Sequence, residues 1–506
     1  MESSSKMQNN NEKQENTKTI IYKGKEKIIP AHNPDETKCE YYIIKKSRYC
    51  NFEKFRGSEF CVYHRNESES QDEYLICPYD PKHRILKEKF KSHLKVCNTL
   101  FNKNEYQNSP WYIKNYNHAK ADKNHILPSD EELKKIYSLK FEDIPIDTFE
   151  KYIDKILSVY EISKKIYEDY VIKNNLENYI KNILNVNIKN PDIFYTISGL
   201  DINKENDLKH TEKRKHLEKH SIQNEALGSV VFKTGLMDVN SENFYIVEFG
   251  AGKGGLSEEI SKINENKSMY ILLERAGLRF KKENKNRNEH TINHTIRYRT
   301  DIIDFNLNYI DNINEVIKEE KQKNNFIKNG YNILAIAKHI CGCAFDLSLS
   351  CLFNYEHQER IKGIVMATCC HHICRVELLN NLYYYMDILK MDIKEIIFLF
   401  KTTSWLFSHE DENKKKEREE KKEKEEKEQK EENEIKKEKE EKKILIDKIF
   451  EKRNIDRKYV GIIAKYIVDI GRCKCLIDKG FQKVLYLKYC SNGITTENNM
   501  ILAFRE

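Results

Sequence analysis

Residues Phe244 to Glu258 read FYIVEFGAGKGGLSE, and this stretch decides the fold that the sequence predicts. An apolar run, Tyr245–Val247, ends in an acid, Glu248, and glycines then occupy every second position from 250 to 254. Leu256–Ile260 is predicted to begin a helix. The order strand, glycine-rich turn and helix is typical of a site where the backbone closely approaches a ligand. Standing alone, the same pattern is also compatible with a purely structural turn.

The glycine spacing narrows the choice of ligand. E-x-G-x-G-x-G differs from the dinucleotide fingerprint G-x-G-x-x-G, and it lacks the Lys-Ser/Thr ending of a phosphate-binding P-loop. The pattern resembles motif I of class I S-adenosylmethionine (SAM) methyltransferases. The resemblance implies a SAM site at this turn that includes Glu248, Gly250, Gly252 and Gly254.

The composition excludes some classes of protein. A chain of 506 residues predicts several domains, and its net charge of +7 suits an acidic partner. The sequence has no apolar run long enough to span a membrane and no secretory h-region near its N-terminus. We therefore expect an intracellular protein, in the nucleus or the cytoplasm or both. In such a reducing compartment its 14 cysteines are expected to bind metal or take part in catalysis rather than form disulfides.

Eight metal-binding side chains, five cysteines and three histidines, lie between residues 39 and 97 and divide into two sets of four. Structural zinc takes four sulfur or nitrogen ligands, so the spacing predicts two zinc sites, with ordinary buried cysteines as the alternative. The ligand sets are Cys39, Cys50, Cys61 and His64, and Cys77, His83, His93 and Cys97. The first set resembles the CCCH finger of a eukaryotic tRNA methyltransferase family. The second resembles the CHHC finger shared by that family and a minor-spliceosome protein, and both imply contact with RNA.

A regular alternation of strands and helices begins at residue 241 and predicts a mostly parallel sheet. The predicted strands are Tyr245–Phe249, Met269–Glu274, Thr295–Thr300, Ile333–Ala337 and Ile364–Ala367. Ligands bind at the carboxyl ends of such strands. By resemblance to SAM enzymes, Glu274 is predicted to bind the ribose of SAM and Asp301 its adenine. An ion pair between Glu274 and a neighbouring arginine, Arg275 or Arg279, is the alternative.

Two further segments make the resemblance specific. Residues 338–347 read KHICGCAFDL and residues 369–374 read CCHHIC. They resemble K-H-L-C-G-x-A-T-D-L and C-C-H-H-x-C elements of the eukaryotic tRNA 2′-O-ribose methyltransferase family, which modifies the fourth nucleotide of the acceptor stem. The resemblance implies SAM-dependent 2′-O-methylation of tRNA, two structural zinc ions, and neither DNA nor membrane as a partner. A Lys-His-x-x-Gln element at residues 219–223 also resembles this family.

The chemistry of the reaction suggests roles for individual residues. A ribose hydroxyl must lose a proton as it attacks the methyl group, so a base within hydrogen-bond reach is expected. His371 is the first candidate and His372 the second. Lys338 is predicted to polarise the 2′-oxygen or hold a phosphate, and Asp346 to orient the lysine or the histidine. Asp469 and Arg472 also match positions of this family, where helix packing is one role and a phosphate contact of Arg472 is the other.

The sequence also allows other interpretations of these segments. The cysteines and histidines of residues 369–374 can be buried structural residues or a third zinc site, although adjacent side chains of an extended chain point in alternate directions. Two alternative functions for the whole chain are a zinc-finger RNA-binding protein with an inactive SAM fold and a SAM methyltransferase with another substrate. The sequence does not indicate an oligomeric state.

The predicted domain organisation follows from these assignments. The predicted fold class is α/β, a Rossmann-like class I SAM methyltransferase with a mostly parallel seven-stranded sheet and two small zinc fingers. The predicted terminal strands, Val484–Tyr489 and Met500–Phe504, are expected to form an antiparallel hairpin. The segments are a disordered tail at 1–35, zinc fingers at 36–66 and 74–100, a helical connector at 101–240, the methyltransferase domain at 241–410 and 444–506, and a charged insertion at 411–443.

Overall fold

The computed structural model divides into two compact units, residues 1–108 and 109–506. It describes residues 17–22, 25–43, 48–55, 57–61, 64, 74–78, 80–96, 107–118, 125–184, 195–196, 212–278, 282, 292, 294–312, 331–407, 430–490 and 494–505.

The described residues of the first unit form three small antiparallel pairs of strands and one helix. The pairs are β1 (Thr17–Tyr22) with β2 (Lys25–Pro30), β3 (Tyr42–Ile43) with β4 (Arg48–Tyr49), and β5 (Tyr74–Cys77) with β6 (Asp80–Leu86). The helix α1 (Lys87–Val96) follows β6.

The predicted disordered tail over residues 1–35 is wrong for the part of it that the structure describes. Strands β1 and β2 pair over their whole length, and both are rich in the Thr, Ile and Tyr residues that favour β-structure. Further on, the Asn33 side chain donates hydrogen bonds to the carbonyls of Cys39 and Cys50. The ordered first finger therefore includes residues before 36, and residues 1–16 lie outside the described part.

One eight-stranded sheet forms the centre of the second unit. Its strands are β7 (Tyr195–Thr196), β8 (Phe244–Phe249), β9 (Met269–Leu273), β10 (Thr295–Tyr298), β11 (Asn332–Cys341), β12 (Ile361–Cys369), β13 (Lys483–Lys488) and β14 (Asn499–Phe504). Their order is β10-β9-β8-β11-β12-β14-β13-β7, and every pair is parallel except those that β14 makes with β12 and β13. The five predicted parallel strands and the terminal hairpin are confirmed, and the two-residue β7 adds an eighth strand at the edge.

Helices cover the sheet and continue its apolar core. They are α2 (Asp130–Ser138), α3 (Ile146–Lys173), α4 (Leu176–Leu184), α5 (Glu212–Lys233), α6 (Gly255–Ile263), α7 (Ala344–Phe353), α8 (Ile393–Thr402), α9 (Lys430–Lys452) and α10 (Arg457–Asp478). The 28-residue helix α3 buries one face, including Phe149, Ile153 and Val159. Its Tyr167 hydroxyl accepts a hydrogen bond from the backbone of Tyr486 in β13. The segment predicted as a connector thus packs against the sheet as part of the same unit.

Strands β11 and β12 both end later than predicted, β12 at Cys369 rather than Ala367, and this bears on the site. Strand β11 continues beyond Ala337 to Cys341, and its register against β12 shifts between Ala337 and Ile340. Lys338 and His339 occupy this irregular stretch, and pairing resumes at Ile340. Because such irregularities re-aim side chains, the position of Lys338 could not be read from simple alternation.

The structure describes only part of the predicted charged insertion. Of the predicted insertion at 411–443, residues 430–443 belong to α9 and residues 411–429 lie outside the described part. Among the described helices, none combines the length and the apolar character needed to cross a membrane.

Candidate active site and zinc centre

The glycine turn after β8 leaves open space beside its backbone. Gly250 and Gly252 have φ values of 60° and 53°, in the left-handed region that favours glycine. A Cβ atom on Gly250 would lie 3.2 Å from the carbonyl oxygen of His339, whereas a Cβ atom on Gly252 would meet nothing within 4 Å. Gly250 is therefore required by the close approach of β11, and Gly252 borders a space that a ligand can occupy.

Glu248 lies beneath this turn rather than on its open side. Its side chain is buried, and its Oε2 accepts hydrogen bonds from the backbone nitrogen and the hydroxyl of Ser257, at 3.2 and 2.5 Å. Burial raises the pKa of Glu248 to about 7, although the bonds from Ser257 lower it. Glu248 thus anchors the first turn of α6, and a direct contact with a cofactor stays a prediction.

Glu274, just after β9, lies directly beside the glycine turn. Its Oε2 accepts a hydrogen bond of 2.9 Å from the backbone nitrogen of Gly252, and its Oε1 accepts one of 2.8 Å from Ala276. Arg275 pairs instead with Asp301, at 3.8 Å. Glu274 and Asp301, the acids predicted to bind the ribose and the adenine, therefore follow two adjacent strands at the carboxyl edge of the sheet. Asp301 also accepts a hydrogen bond from the backbone nitrogen of Ile303.

Lys338 meets the predicted Lys-His-x-x-Gln element of α5. Its Nζ lies 3.5 Å from Nδ1 of His220 and 3.4 Å from the His220 carbonyl oxygen. His220 in turn lies within hydrogen-bond distance of Gln223, at 3.2 Å. Burial lowers the pKa of Lys338 to about 8, while the charge of Glu248 opposes that shift. Since His339, the next residue, contacts Gly250, two distant segments of the sequence meet beside the glycine turn.

His371 and His372 lie in very different surroundings. His371 is 1% exposed, and its Nε2 lies 2.7 Å from Asp469 Oδ1. Burial lowers the pKa of His371, although the charge of Asp469 raises it. His372 is exposed. Of the two candidate bases, only His371 therefore points into the protein.

Asp346 and Arg472 continue the buried network behind His371. Arg472 Nη2 lies 2.8 Å from Asp346 Oδ2, and Arg472 Nη1 lies 3.2 Å from Asp469 Oδ1. Asp346 therefore reaches His371 only through Arg472 and Asp469. The expected phosphate contact of Arg472 is wrong, because this side chain is 1% exposed and held by two carboxylates.

Replacing Arg472 with methionine is expected to lower the free energy of unfolding by about 3–5 kcal/mol, because Asp346 and Asp469 would stay buried without their partner. Denaturant unfolding of the full chain measures this change. The matched control is Arg457→Met at the start of the same helix, where the pair with Asp447 is solvent-exposed. That change is expected to cost less than about 1 kcal/mol. Equal losses for the two variants would contradict the structural role of the network.

Asp469 is the residue of this network for which the sequence suggested only a packing role. It also accepts hydrogen bonds from Thr368 Oγ1 and Tyr486 Oη, at 2.8 and 3.0 Å. A signal was present, since Asp469 and Arg472 lie three residues apart on one face of an otherwise apolar stretch of helix. Charged residues in such a setting are rarely buried unless paired.

The first predicted zinc set converges in space. The three Sγ atoms and a ring nitrogen of His64 lie within 4.8 Å of one another. His64 Nδ1 is 3.5 Å from Cys39 Sγ and 3.3 Å from Cys61 Sγ, and Cys50 Sγ is 3.9 Å from Cys61 Sγ. A tetrahedral zinc with Zn–S of about 2.3 Å and Zn–N of about 2.0 Å requires edges of roughly 3.5–3.8 Å. These four side chains therefore fit a structural zinc ion.

The second predicted set is only partly described. Cys77 is buried at the end of β5, His83 belongs to β6, and His93 lies on α1. Cys97 lies outside the described residues, so this ligand set stays a prediction.

Comparison with known families identifies the second unit. Residues 222–504 match the family described as Methyltransferase TRM13. The chain belongs to the TRM13 methyltransferase family. Residues 37–65 match the CCCH zinc finger in TRM13 protein, and residues 74–98 match the U11-48K-like CHHC zinc finger. The chain therefore carries the CCCH and CHHC fingers that its two ligand sets resemble.

Several curated proteins resemble the chain over most of their length. The tRNA:m(4)X modification enzyme TRM13 of Kluyveromyces lactis is 24% identical, covering 93% of this chain and 96% of that protein. The TRM13 homolog of Homo sapiens is 27% identical, and the similarity covers 93% of this chain and 94% of the human protein. The homolog of Dictyostelium discoideum is 26% identical, with 77% and 74% covered. No solved structure matches the chain.

Replacing Cys61 with serine is expected to remove about one zinc ion per chain and to unfold the CCCH finger, since a structural zinc contributes much of the folding free energy of so small a core. Elemental analysis of the purified full chain measures the loss. Cys351→Ser is the control, because Cys351 is buried in α7 and donates to the Phe305 carbonyl. An unchanged zinc content in Cys61→Ser would contradict the assignment of this ligand.

Proposed function

We propose that the protein is a SAM-dependent methyltransferase that methylates the 2′-hydroxyl of the ribose at nucleotide 4 of the tRNA acceptor stem. The observation that carries the proposal is the meeting of the glycine turn, Glu274 and Lys338 at one edge of a mostly parallel sheet. Membership of the TRM13 methyltransferase family supports the reaction, and the similarity to enzymes that modify tRNA supports tRNA as the substrate.

The strand order supports a class I SAM methyltransferase fold. If the seven long strands are numbered along the chain from β8, their order in the sheet is 3-2-1-4-5-7-6. Only strand 7, which is β14, runs antiparallel to its neighbours. The order reverses between β8 and β11, and ligands of open α/β sheets bind outside the strand ends at such a switch point. The glycine turn follows β8, and Lys338 lies on β11.

The residues at this point fit SAM. The open side of Gly252 gives room for a ligand, and the carboxylate of Glu274 is held beside it by two backbone nitrogens. A carboxylate so placed can exchange these bonds for the hydroxyls of a ribose. When bound, SAM supplies an electrophilic methyl group on a positively charged sulfur. Because the leaving group is neutral, alignment of the attacking oxygen provides much of the acceleration.

Lys338 is the better supported candidate for the group that meets the substrate hydroxyl. A pKa of about 8 leaves a substantial fraction of its amine neutral near physiological pH, so that it can accept the hydroxyl proton. His220 lies next to Nζ and can hold the amine toward the site. His371, the first candidate from the sequence, is buried against Asp469, which supports a positioning role for it. His372 is the remaining candidate, and it is exposed.

The two fingers support an RNA substrate. Arg48 is exposed on the CCCH finger, whereas Lys54 pairs with Glu59 and Glu40. Phe52, on the same finger, is 58% exposed, and exposed aromatic residues are the kind that stack on RNA bases. An intracellular location, in the nucleus or the cytoplasm, agrees with this substrate. It also agrees with the lack of disulfide bonds among the cysteines that the structure describes.

The proposed reaction is tested with two synthetic tRNAs that differ at one atom. One carries an ordinary ribose at nucleotide 4 and the other a 2′-deoxyribose. Nucleosides released after incubation with protein and labelled SAM are analysed by mass spectrometry. The expected result is a 2′-O-methylated nucleoside from the first tRNA and none from the second. Methylation of the deoxy tRNA, or of neither, would contradict the proposed position or reaction.

A further inference from the structure

Three cysteine thiols meet at the carboxyl edge of the sheet, outside the two fingers. They belong to Cys341, Cys369 and Cys370, and their Sγ atoms all lie within 4.8 Å of one another. Cys369 Sγ and Cys341 Sγ are 3.7 Å apart. Cys369 is buried, Cys370 is half-buried and Cys341 is exposed, and all three are free thiols.

The backbone explains why these thiols converge. Strands β11 and β12 run parallel, and their register sets Cys341 opposite Cys369. The nitrogen of Gly342 donates a hydrogen bond of 3.1 Å to the Cys369 carbonyl and holds the two strand ends together. Cys370 has a φ of 51°, in the left-handed region. The side chains of Cys369 and Cys370 therefore do not alternate as they would on an extended chain, and the expectation of divergence is wrong at this point.

We propose that Cys341, Cys369 and Cys370 form a third metal site, which takes one thiophilic ion such as Zn²⁺. Three thiolates favour zinc and other soft ions over magnesium, calcium or manganese. The separation of 3.7 Å between Cys341 and Cys369 agrees with the edge of about 3.8 Å that two thiolates span around a tetrahedral zinc. The site differs from the one weighed from the sequence alone. It uses neither histidine of residues 369–374 and recruits Cys341 from the neighbouring strand.

The charges around the cluster are compatible with a bound ion. Binding Zn²⁺ releases three thiol protons and leaves three thiolates around a divalent ion, a net charge of −1. The neighbouring acid Glu497 is already paired with Lys465, 2.7 Å away. Because Cys341 is exposed, water could supply a fourth ligand, as in zinc sites that keep an open position.

A bound ion would join the ends of β11 and β12. Lys338 lies three residues before Cys341, on the irregular part of β11, so the ion would fix the strand end that carries this lysine. The proposal does not depend on the substrate, because the site is assigned from the thiols and the sheet alone.

Zinc content of the full chain tests the site. Wild type and Cys341→Ser are purified with a phosphine reductant, loaded with zinc and dialysed against increasing chelator. Since Cys341 is exposed, its substitution is expected to leave the fold intact, which thermal unfolding checks. Cys341→Ser is expected to retain about one zinc ion per chain less than wild type at intermediate chelator. Equal zinc content at every chelator concentration would overturn the proposal.

Cys343→Ser is the matched control. Cys343 lies two residues beyond Cys341, but its Sγ accepts a hydrogen bond of 2.8 Å from the backbone nitrogen of Arg375 and lies outside the cluster. Cys343→Ser is expected to retain as much zinc as wild type. A loss from Cys343→Ser equal to that from Cys341→Ser would show a general disturbance of the loop and overturn the assignment.

Cobalt provides a second measurement that reports the ligands themselves. Thiolates bound to Co²⁺ give charge-transfer absorption, which is expected to fall in Cys341→Ser and Cys370→Ser and to stay at the wild-type level in Cys343→Ser. Cobalt absorption identical in all four proteins would overturn the proposal. So would a fully reduced wild-type chain that takes up metal in its fingers only.

Discussion

Replacing Lys338 with alanine is expected to slow methyl transfer by about 10²–10⁴-fold, the usual contribution of a positioned acid–base group. The affinity for SAM is expected to stay near that of wild type, because Glu274 and the glycine turn remain. Single-turnover methylation of tRNA under saturating SAM measures the rate, and calorimetric titration measures SAM binding.

The pH dependence follows from the same group. A base must be neutral to accept a proton, and burial lowers the pKa of Lys338 to about 8. In wild type the rate is therefore expected to rise with pH below about 8, by roughly tenfold per pH unit, and to level off above it. The residual activity of Lys338→Ala should no longer show this rise of the rate with pH.

Lys338→Arg separates the two roles that the sequence leaves open for this lysine. Arginine keeps a positive charge for a phosphate but stays protonated at every accessible pH. If Lys338 is the base, Lys338→Arg binds tRNA with an unchanged salt dependence and transfers methyl as slowly as Lys338→Ala. Transfer near the wild-type rate would instead show that the lysine holds a phosphate. Should His371→Ala lose as much rate while remaining fully folded, the base assignment would return to His371.

Replacing Gly252 with aspartate is expected to weaken SAM binding by at least about 100-fold, equivalent to roughly 2.7 kcal/mol. The backbone of Gly252 has a φ of 53°, which aspartate tolerates better than most residues, so the strain is modest. The new carboxylate would occupy the open space beside the turn and would face the carboxylate of Glu274, which binds the Gly252 nitrogen. Titration of the variant with SAM measures the change.

Gly480→Asp is the control for backbone strain. Gly480 has a φ of 84° and open space beside it, but it lies in the turn between α10 and β13. Its replacement is expected to leave SAM affinity unchanged. Normal SAM binding by Gly252→Asp would mean that the open side of the glycine turn is not the cofactor site.

The sheet could be predicted because its strands are buried on both faces. All six residues of β8 and all five of β9 are buried, and such strands appear in the sequence as continuous apolar runs. The ends of β11 and β12 were missed because the bulge at Lys338 and His339 has no local signal. The hairpin of β1 and β2 was missed because polar residues near it made the whole segment resemble a disordered tail.

The sequence predicted where the candidate site lies but not the role of each residue in it. The rule that ligands bind at the carboxyl ends of strands correctly grouped the glycine turn with Glu274 and Lys338. The separate roles of His371 and Asp346 could not be predicted, because they depend on Asp469 and Arg472 of a helix about a hundred residues away in sequence. Burial of a histidine depends on the packing of the whole domain, which no local pattern records.

The position of β14 inside the sheet has a consequence for synthesis on the ribosome. Strands β8 to β12 can pair with one another as they emerge, but β12 keeps an unpaired edge until residues 499–504 have been made, because its other neighbour is β14. Throughout that interval this apolar strand presents free backbone donors and acceptors to other nascent chains. We therefore expect chaperone binding to ribosome-bound chains to be strongest while residues between β12 and β14 are being translated.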